Sequence, residues 1–178
     1  MPQTKVFRHS TKAVTMTGLF MAMTIMLSSS IFSLPVPGGH LYFNDMVICT
    51  ASILLGDPVL AFIAGGIGSF LGDMLFYPAP MFVSLVTHGL QAVVISLCSK
   101  HLFKDHPVLA SGIGVLLGAV VMVTGYTLGR AFVYSTLETS LIKLPFECVQ
   151  ALVGVVISML LCWKFKLVHL YRSFVNDN

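Results

Sequence analysis

The sequence predicts an all-α membrane protein with six transmembrane helices and both termini in the cytoplasm. Of its 178 residues, 56% are hydrophobic and only 10% are charged, and the mean hydropathy is +0.91. A chain of this composition has too few polar side chains to cover the surface of a soluble globule. Spans of about 20 residues leave room for six helices with short loops. We therefore expect residues 1–178 to form a single integral membrane domain.

Turn sequences that contain proline divide the chain into six apolar segments. The last of these breaks, Lys143-Leu144-Pro145, predicts that the sixth helix begins at residue 145. The first segment follows basic residues, as the apolar part of a signal peptide does. Its apolar run exceeds the roughly 7–15 residues of a cleavable signal peptide, so we expect that it is not cleaved. The second segment is short, because its apolar part covers only about 17 Å. The six expected helices are residues 13–34, 45–56, 58–76, 81–100, 107–133 and 145–164.

The distribution of basic residues predicts the orientation of these helices. With a cytoplasmic N-terminus and six crossings, residues 1–12 and 165–178 form cytoplasmic segments, and only Arg130 and Lys143 lie toward the outside. If the second segment did not cross, the two basic ends of the chain would lie on opposite sides of the membrane. Six crossings therefore agree better with the usual excess of basic residues on the cytoplasmic side. The cytoplasmic basic residues are then Lys5, Arg8, Lys12, Lys100, Lys104, Lys164, Lys166 and Arg172.

Polar residues occur as helix-spaced pairs inside three of the apolar segments, in the halves expected to face outward. An ionisable group at the centre of a membrane helix costs about 2.5–3.5 kcal/mol or more, so it usually faces a cavity or a partner. The three pairs therefore predict a pocket for a small polar molecule. Ser84 shares the helical stripe of the first pair at positions i, i+4 and i+7. The pairs are His88 and Gln91, Tyr126 and Arg130, and Glu147 and Gln150.

These polar residues also have structural interpretations, which the sequence leaves open. His88 could form an interhelical hydrogen bond instead of contacting a ligand. Arg130 could extend its guanidinium to the membrane interface or pair with Glu147. Glu147 is also favoured by the helix dipole if it lies near the start of a helix, as predicted.

The loop at residues 34–44 lies on the same side as the pairs and is expected to fold over the pocket as a lid. Asp45, which follows it, is interpreted mainly as a helix cap. Asp73 ends the third helix and is interpreted as solvated or functional. The loop supplies three further candidate contacts, which are His40, Tyr42 and Asn44.

Several classes of function are excluded by what the sequence lacks. It has no G-x-x-x-x-G-K-[ST] motif, so the chain cannot hydrolyse ATP on its own. It contains neither H-E-x-x-H nor G-x-S-x-G. Its four cysteines lack C-x-x-C spacing and predict neither a disulfide framework nor a metal site. The basic residues bracket the apolar segments and form no nucleic-acid-binding face.

Three short motifs follow one another along the chain. They are the P-x-P-G-G-H-L-Y-F-N-D loop at residues 35–45, Gly56-Asp57-Pro58, and a glycine-rich third helix that ends in Gly72-Asp73. In this order, and with six expected helices, the chain resembles the substrate-binding S components of energy-coupling factor (ECF) vitamin transporters. The resemblance covers nearly the whole chain.

The resemblance implies a multi-pass protein of the bacterial cell membrane that binds a water-soluble vitamin with high affinity. Its pocket would face outward, between the first loop and the outer halves of the fourth to sixth helices. The resemblance implies no cofactor in this chain, because two cytoplasmic ATPases bind ATP and Mg²⁺ and join a transmembrane coupling protein. It also implies that the whole S component rotates in the bilayer during uptake.

The family's coupling motif is a pair of alanines four residues apart on the first helix. Gly18 and Ala22 are the nearest match here and are the candidate docking residues. Among the family's substrates, the chain is most similar to the group that handles vitamin B6-type pyridines or hydroxymethyl pyrimidine. Members for riboflavin, folate or pantothenate share the architecture, so these substrates stay open.

Two other classes of function also stay open. A membrane enzyme would use His88 and Glu147 as acid and base, although no nucleophile or metal site accompanies them. A stand-alone channel or ion-coupled carrier would use Arg130, Glu147 and Asp73 to relay protons.

Overall fold

The computed structural model describes residues 10–103 and 105–176, which form seven helices and one β-hairpin. The predicted segment 1–12 therefore lies mostly outside the described residues, as does Lys104. The helices are α1 Thr11–Leu27, α2 Asn44–Leu55, α3 Pro58–Phe76, α4 Met81–His101, α5 Pro107–Tyr134, α6 Leu137–Lys164 and α7 Leu167–Asn176. Helices α3 to α6 are long and apolar enough to cross a membrane, whereas α1 and α2 are shorter apolar helices of 17 and 12 residues. The side on which each terminus lies, and the crossing by α1 and α2, stay predictions.

The loop after α1 contains a β-hairpin, so the prediction that the first helix extends to residue 34 is wrong. Strands β1, Ser33–Val36, and β2, Gly39–Tyr42, pair antiparallel with Leu34 opposite Leu41. The turn between them needs positive φ at Gly38 and Gly39, which glycine adopts without strain. The described fold is therefore helical with one small sheet, and the sheet forms the segment predicted to be a lid.

Helix α6 begins at Leu137, eight residues before its predicted start. The hydroxyl of Thr136 caps it by accepting a hydrogen bond from the backbone N–H of Thr139. Ser140 then donates to the carbonyl of Thr127 at 2.7 Å, which attaches the first turns of α6 to α5. Pro145 lies inside this helix. The predicted break at Lys143-Leu144-Pro145 is therefore wrong, because capping and packing on both sides outweigh the one hydrogen bond that proline removes.

Helix α7 was not expected within the segment 165–178. The chain leaves α6 after Lys164 and turns at Lys166, whose φ is +57°. From Leu167 it forms ten residues of helix, in which Val168 is buried against the core. The described part of this segment is therefore attached to the bundle.

Glycines allow α4 and α5 to approach closely. A Cβ placed on Gly118 would lie 2.6 Å from Cγ1 of Ile95, and one on Gly125 would lie 2.6 Å from Oγ1 of Thr87. Such small residues at helix contacts are typical of membrane helix packing. Gly18 differs, because a Cβ there would meet nothing within 4 Å, and it lies on an exposed face of α1 with Ala22.

We expect Gly66→Ala to destabilise the bundle, because the new methyl group would lie 2.8 Å from Cα of Gly89 and 3.0 Å from the carbonyl oxygen of Leu85. Overpacking of this kind costs about 1–3 kcal/mol. The measurement is the apparent Tm of the purified protein in detergent. Gly18→Ala is the matched control and should leave Tm unchanged or slightly higher. Equal Tm values for the two variants would contradict the packing described for Gly66.

Candidate ligand-binding site

A cavity of about 230 Å³ lies between the hairpin and the ends of helices α3 to α6. Residues from the turn between the two strands and from the start of α2 cover it. Its wall combines aromatic rings with charged and amide side chains. The lining residues are Gly38, Gly39, His40, Tyr42, Asn44, Asp73, Tyr77, Pro80, His88, Met122, Tyr126, Arg130, Tyr134, Ser135, Thr139, Lys143, Glu147 and Gln150.

The structure brings most of the predicted site residues to this one cavity. Ser84 and Gln91 do not line it, but each is hydrogen bonded to a residue that does. Whether any of them contacts a ligand stays a prediction. The predicted residues that line the cavity are His40, Tyr42, Asn44, His88, Tyr126, Arg130, Glu147 and Gln150.

The carboxylate of Asp45 joins three helices behind the cavity. Its Oδ1 accepts a hydrogen bond from Nε2 of Gln91 on α4 at 2.9 Å, and its Oδ2 accepts one from Nε2 of Gln150 on α6 at 2.6 Å. The Oε1 of Gln150 in turn accepts the backbone N–H of Tyr42 at 2.9 Å. Asp45 is fully buried. Its interpretation as a helix cap is wrong, because no side chain caps the start of α2.

The hydrogen bonds of Gln91 determine the tautomer of His88. Because the amide nitrogen of Gln91 donates to Asp45, its Oε1 faces Nδ1 of His88 at 2.7 Å and accepts a hydrogen bond from the Nδ1–H group. In the neutral imidazole, Nε2 then carries the lone pair. No hydrogen bond within the described residues uses Nε2. His88 therefore contributes both to the helix contact and, as an acceptor, to the cavity wall.

Arg130 and Glu147 form a buried ion pair beside the cavity. Nη1 of Arg130 bonds to Oε1 of Glu147, and the arginine is only 5% exposed. The guanidinium also lies 5.6 Å from the centroid of the Tyr134 ring. The guanidinium of Arg130 therefore pairs with Glu147 and does not extend to the protein surface, which confirms the second of the two interpretations. The predicted position of Glu147 at a helix start is wrong, because Glu147 lies inside α6. Oε2 of Glu147 is buried and has no hydrogen-bond partner among the described residues.

Lys143 is a lining residue that sequence reasoning missed. It is 6% exposed and, in the described part of the chain, makes no hydrogen bond or ion pair. It lies one helical turn before Glu147, on the same face of α6. A helix start at residue 137 would have revealed this stripe, but the assumed break at Pro145 hid it.

A second group of hydrogen bonds fixes the opposite wall. Ser84 donates to Oδ2 of Asp73 and lies 2.5 Å from the phenolic oxygen of Tyr126. Asp73 is buried, so its interpretation as a solvated residue is wrong. This group joins the end of α3 to α4 and α5. The ring centroids of His88 and Tyr126 lie 5.2 Å apart, in an edge-to-face arrangement.

Tyr42 of strand β2 places a phenol at the mouth of the cavity. Burial, with a smaller contribution from the negative charge of Asp73, raises the pKa of Tyr42 to about 12. The phenol therefore stays protonated at neutral pH and can donate a hydrogen bond. The ring centroid of His40 lies 6.2 Å away. Two rings of the hairpin thus face the same opening.

The arrangement favours binding over catalysis. His88 and Glu147, the candidate acid and base, bond to different partners, Gln91 and Arg130. In residues 10–103 and 105–176, no group of three His, Cys, Asp or Glu side chains could hold a metal ion. The cavity instead presents donors and acceptors between aromatic rings, as small-molecule sites do.

Comparison with known proteins identifies the family. The family model of the ECF-type riboflavin transporter S component matches residues 8–167. An uncharacterized protein of Pyrococcus woesei is 30% identical over 75% of this chain and 88% of its own length. The thiamine precursor transporter HmpT of Lactococcus lactis subsp. cremoris is 30% identical over 84% of this chain and 85% of its own length. The chain therefore belongs to the ECF-type S component family, whose members are the substrate-binding subunits of membrane transporters.

Proposed function

We propose that this S component takes up a single-ring vitamin or vitamin precursor, of which hydroxymethyl pyrimidine is the first candidate and a vitamin B6-type pyridine the second. The family and the HmpT relative support vitamin uptake by an ECF transporter. The substrate and its site are our proposal. The ligand would bind in the cavity beneath the hairpin.

One observation carries this proposal: several residues that line the cavity carry polar groups without hydrogen-bond partners. Oδ1 of Asn44 and Oε2 of Glu147 are buried and unpartnered among the described residues. The ammonium group of Lys143 and Nε2 of His88 also belong to lining residues, and neither makes a hydrogen bond within the described residues. Unpaired polar groups in a buried site cost about 1–3 kcal/mol each. A ligand that pairs with them removes this cost.

These groups specify a chemical pattern in the ligand. Asn44, Glu147 and His88 offer acceptors, whereas Lys143 offers donors. An aminopyrimidine with a hydroxymethyl group supplies N–H and O–H donors for the first three and a ring nitrogen for the fourth. The rings of Tyr42 and Tyr126 would pack against the heterocycle.

Riboflavin is the alternative to a single-ring ligand, because the matching family model carries its name. The cavity argues against it. At about 230 Å³, it lies below the range of about 300–1,000 Å³ that is usual for small-molecule pockets, so a single ring fits it better than three fused rings. A three-ring flavin with its ribityl chain would require the hairpin to move outward.

Energy for uptake would come from partner proteins. The chain has no phosphate-binding loop, so we expect a transmembrane coupling protein and two ATPases, which bind ATP and Mg²⁺. The exposed small residues Gly18 and Ala22 on α1 are the proposed docking face. A stand-alone carrier would instead transport the substrate in liposomes without these partners.

The substrate proposal is tested by titrating purified protein with hydroxymethyl pyrimidine, pyridoxine and riboflavin in a calorimeter. We expect hydroxymethyl pyrimidine to bind at least tenfold more tightly than riboflavin. Mass spectrometry of small molecules that co-purify with the protein provides an independent measurement. Tighter binding of riboflavin would overturn the single-ring proposal, while the family assignment would stand.

Lys143→Met should weaken ligand binding by at least tenfold and raise the apparent Tm of the unliganded protein. Both effects have one cause, because Lys143 is buried and makes no hydrogen bond or ion pair in the described structure, and an apolar side chain of similar length removes the cost of burying its ammonium group. Calorimetry gives the affinity and a thermal melt gives Tm. Lys100→Met, at the exposed end of α4, is the control and should change neither. An unchanged affinity in Lys143→Met would show that the ligand does not reach this residue.

Gly18→Leu should preserve ligand binding and abolish uptake, because a bulky side chain would keep the coupling protein away from α1. Ligand affinity, co-purification of the ECF subunits and uptake in cells are measured together. Gly18→Ala retains a small residue and should support uptake and complex formation. If Gly18→Leu forms the complex normally, the docking face lies elsewhere.

A further inference from the structure

Helix α7 has three distinct faces. Val168 is buried and Tyr171 is partly buried against the bundle core. Leu170 and Phe174, one turn apart, are 66% and 50% exposed. Ser173 is exposed on the remaining side. The helix thus presents one face to the protein, one apolar face to its surroundings, and one polar face.

Both ends of α7 are attached to ends of helices in the bundle. At its start, the turn through Phe165 and Lys166 connects it to the last residue of α6. Near its end, Nζ of Lys12 in the first turn of α1 donates to the carbonyl oxygen of Phe174 at 2.9 Å and lies 5.3 Å from the centroid of its ring. Helix α7 therefore runs along the end of the bundle opposite the cavity and does not project away from it.

The charged side chains of α7 and of the turn before it are positive. Lys164 and Lys166 are exposed at the start of the helix, and Arg172 is exposed on the side away from Leu170 and Phe174. Residues 167–176 contain no acidic side chain. Phe165, in the turn, is 70% exposed. An amphipathic helix with exposed leucine and aromatic residues next to cations is typical of the membrane interface. Anionic headgroups complement these cations, at about 1 kcal/mol for each cation near the surface.

We propose that α7 lies in the headgroup region of the leaflet opposite the cavity and binds anionic phospholipid. Leu170 and Phe174 enter the boundary with the acyl chains, while Lys164 and Lys166 contact the headgroups. The polar face that carries Ser173 faces water. This surface is separate from the ligand cavity and does not depend on which vitamin is bound.

Tryptophan quenching tests the depth of the helix. The chain has one tryptophan, so Trp163→Phe gives a silent background for Leu170→Trp and for its matched control Ser173→Trp. The full-length variants are placed in nanodiscs that contain phospholipid brominated near the top of the acyl chains. We expect strong quenching and blue-shifted emission at position 170 and weak quenching at 173. Equal quenching at the two positions, or none at 170, overturns the proposal.

A second measurement tests the headgroup preference. In the Leu170→Trp variant, brominated phosphatidylglycerol should quench more than brominated phosphatidylcholine at the same mole fraction. Removing two cations with Lys164→Gln and Lys166→Gln should reduce this preference by about fivefold for each cation. An unchanged preference overturns the assignment to anionic lipid. Emission at 170 that shifts only when the ECF coupling protein is added overturns it in favour of a protein partner.

Discussion

The buried carboxylate of Asp45 is the constraint on which the rest of the structure depends. A charge this deep is tolerated only if each oxygen has a donor. Gln91 and Gln150 supply them, and these two amides therefore fix the positions of α4 and α6 relative to α2. A Cβ on Gly154 would lie 2.9 Å from Cβ of Asp45, so a glycine is needed where α6 passes closest. The remaining atoms of the two amides then orient His88 and Tyr42.

The polar groups at this end divide into two classes once that network is complete. Asp45, Gln91 and Ser84 use their hydrogen bonds within the protein and hold the helices together. Other polar groups keep unused capacity, and these line the cavity. The division is chemically consistent, because a group satisfied internally gains little from a ligand, whereas an unpaired buried group gains the full hydrogen bond. The cavity wall thus combines groups that are paired in helix contacts, such as Gln150 and Tyr126, with groups that these contacts leave unpaired.

Features of the structure that depend on neighbouring residues were predicted well from the sequence. Features that depend on contacts between distant residues were not. Helix α3 has its predicted bounds, and Asp57 caps it by accepting from the N–H groups of Val59 and Leu60. Such capping depends only on neighbouring residues. The role of Asp45 depends on partners 46 and 105 residues away, which no local pattern contains. Lys143 was missed for a related reason: proline usually ends a helix, and only the contacts with α5 show that this helix continues.

The hairpin and the proposed ligand depend on the same face of α6. A two-stranded hairpin is marginally stable on its own, so its position is held by contacts with the helices. The Tyr42 N–H bonds to Gln150, and the turn packs on Lys143, with the Cβ position of Gly39 lying 3.5 Å from its Nζ. Displacing the hairpin breaks these few contacts but leaves the Asp45 hydrogen bonds to α4 and α6 intact. The hairpin therefore rests on the helices through contacts that are separate from the Asp45 hydrogen bonds, and Lys143 lies where the hairpin and the helices meet.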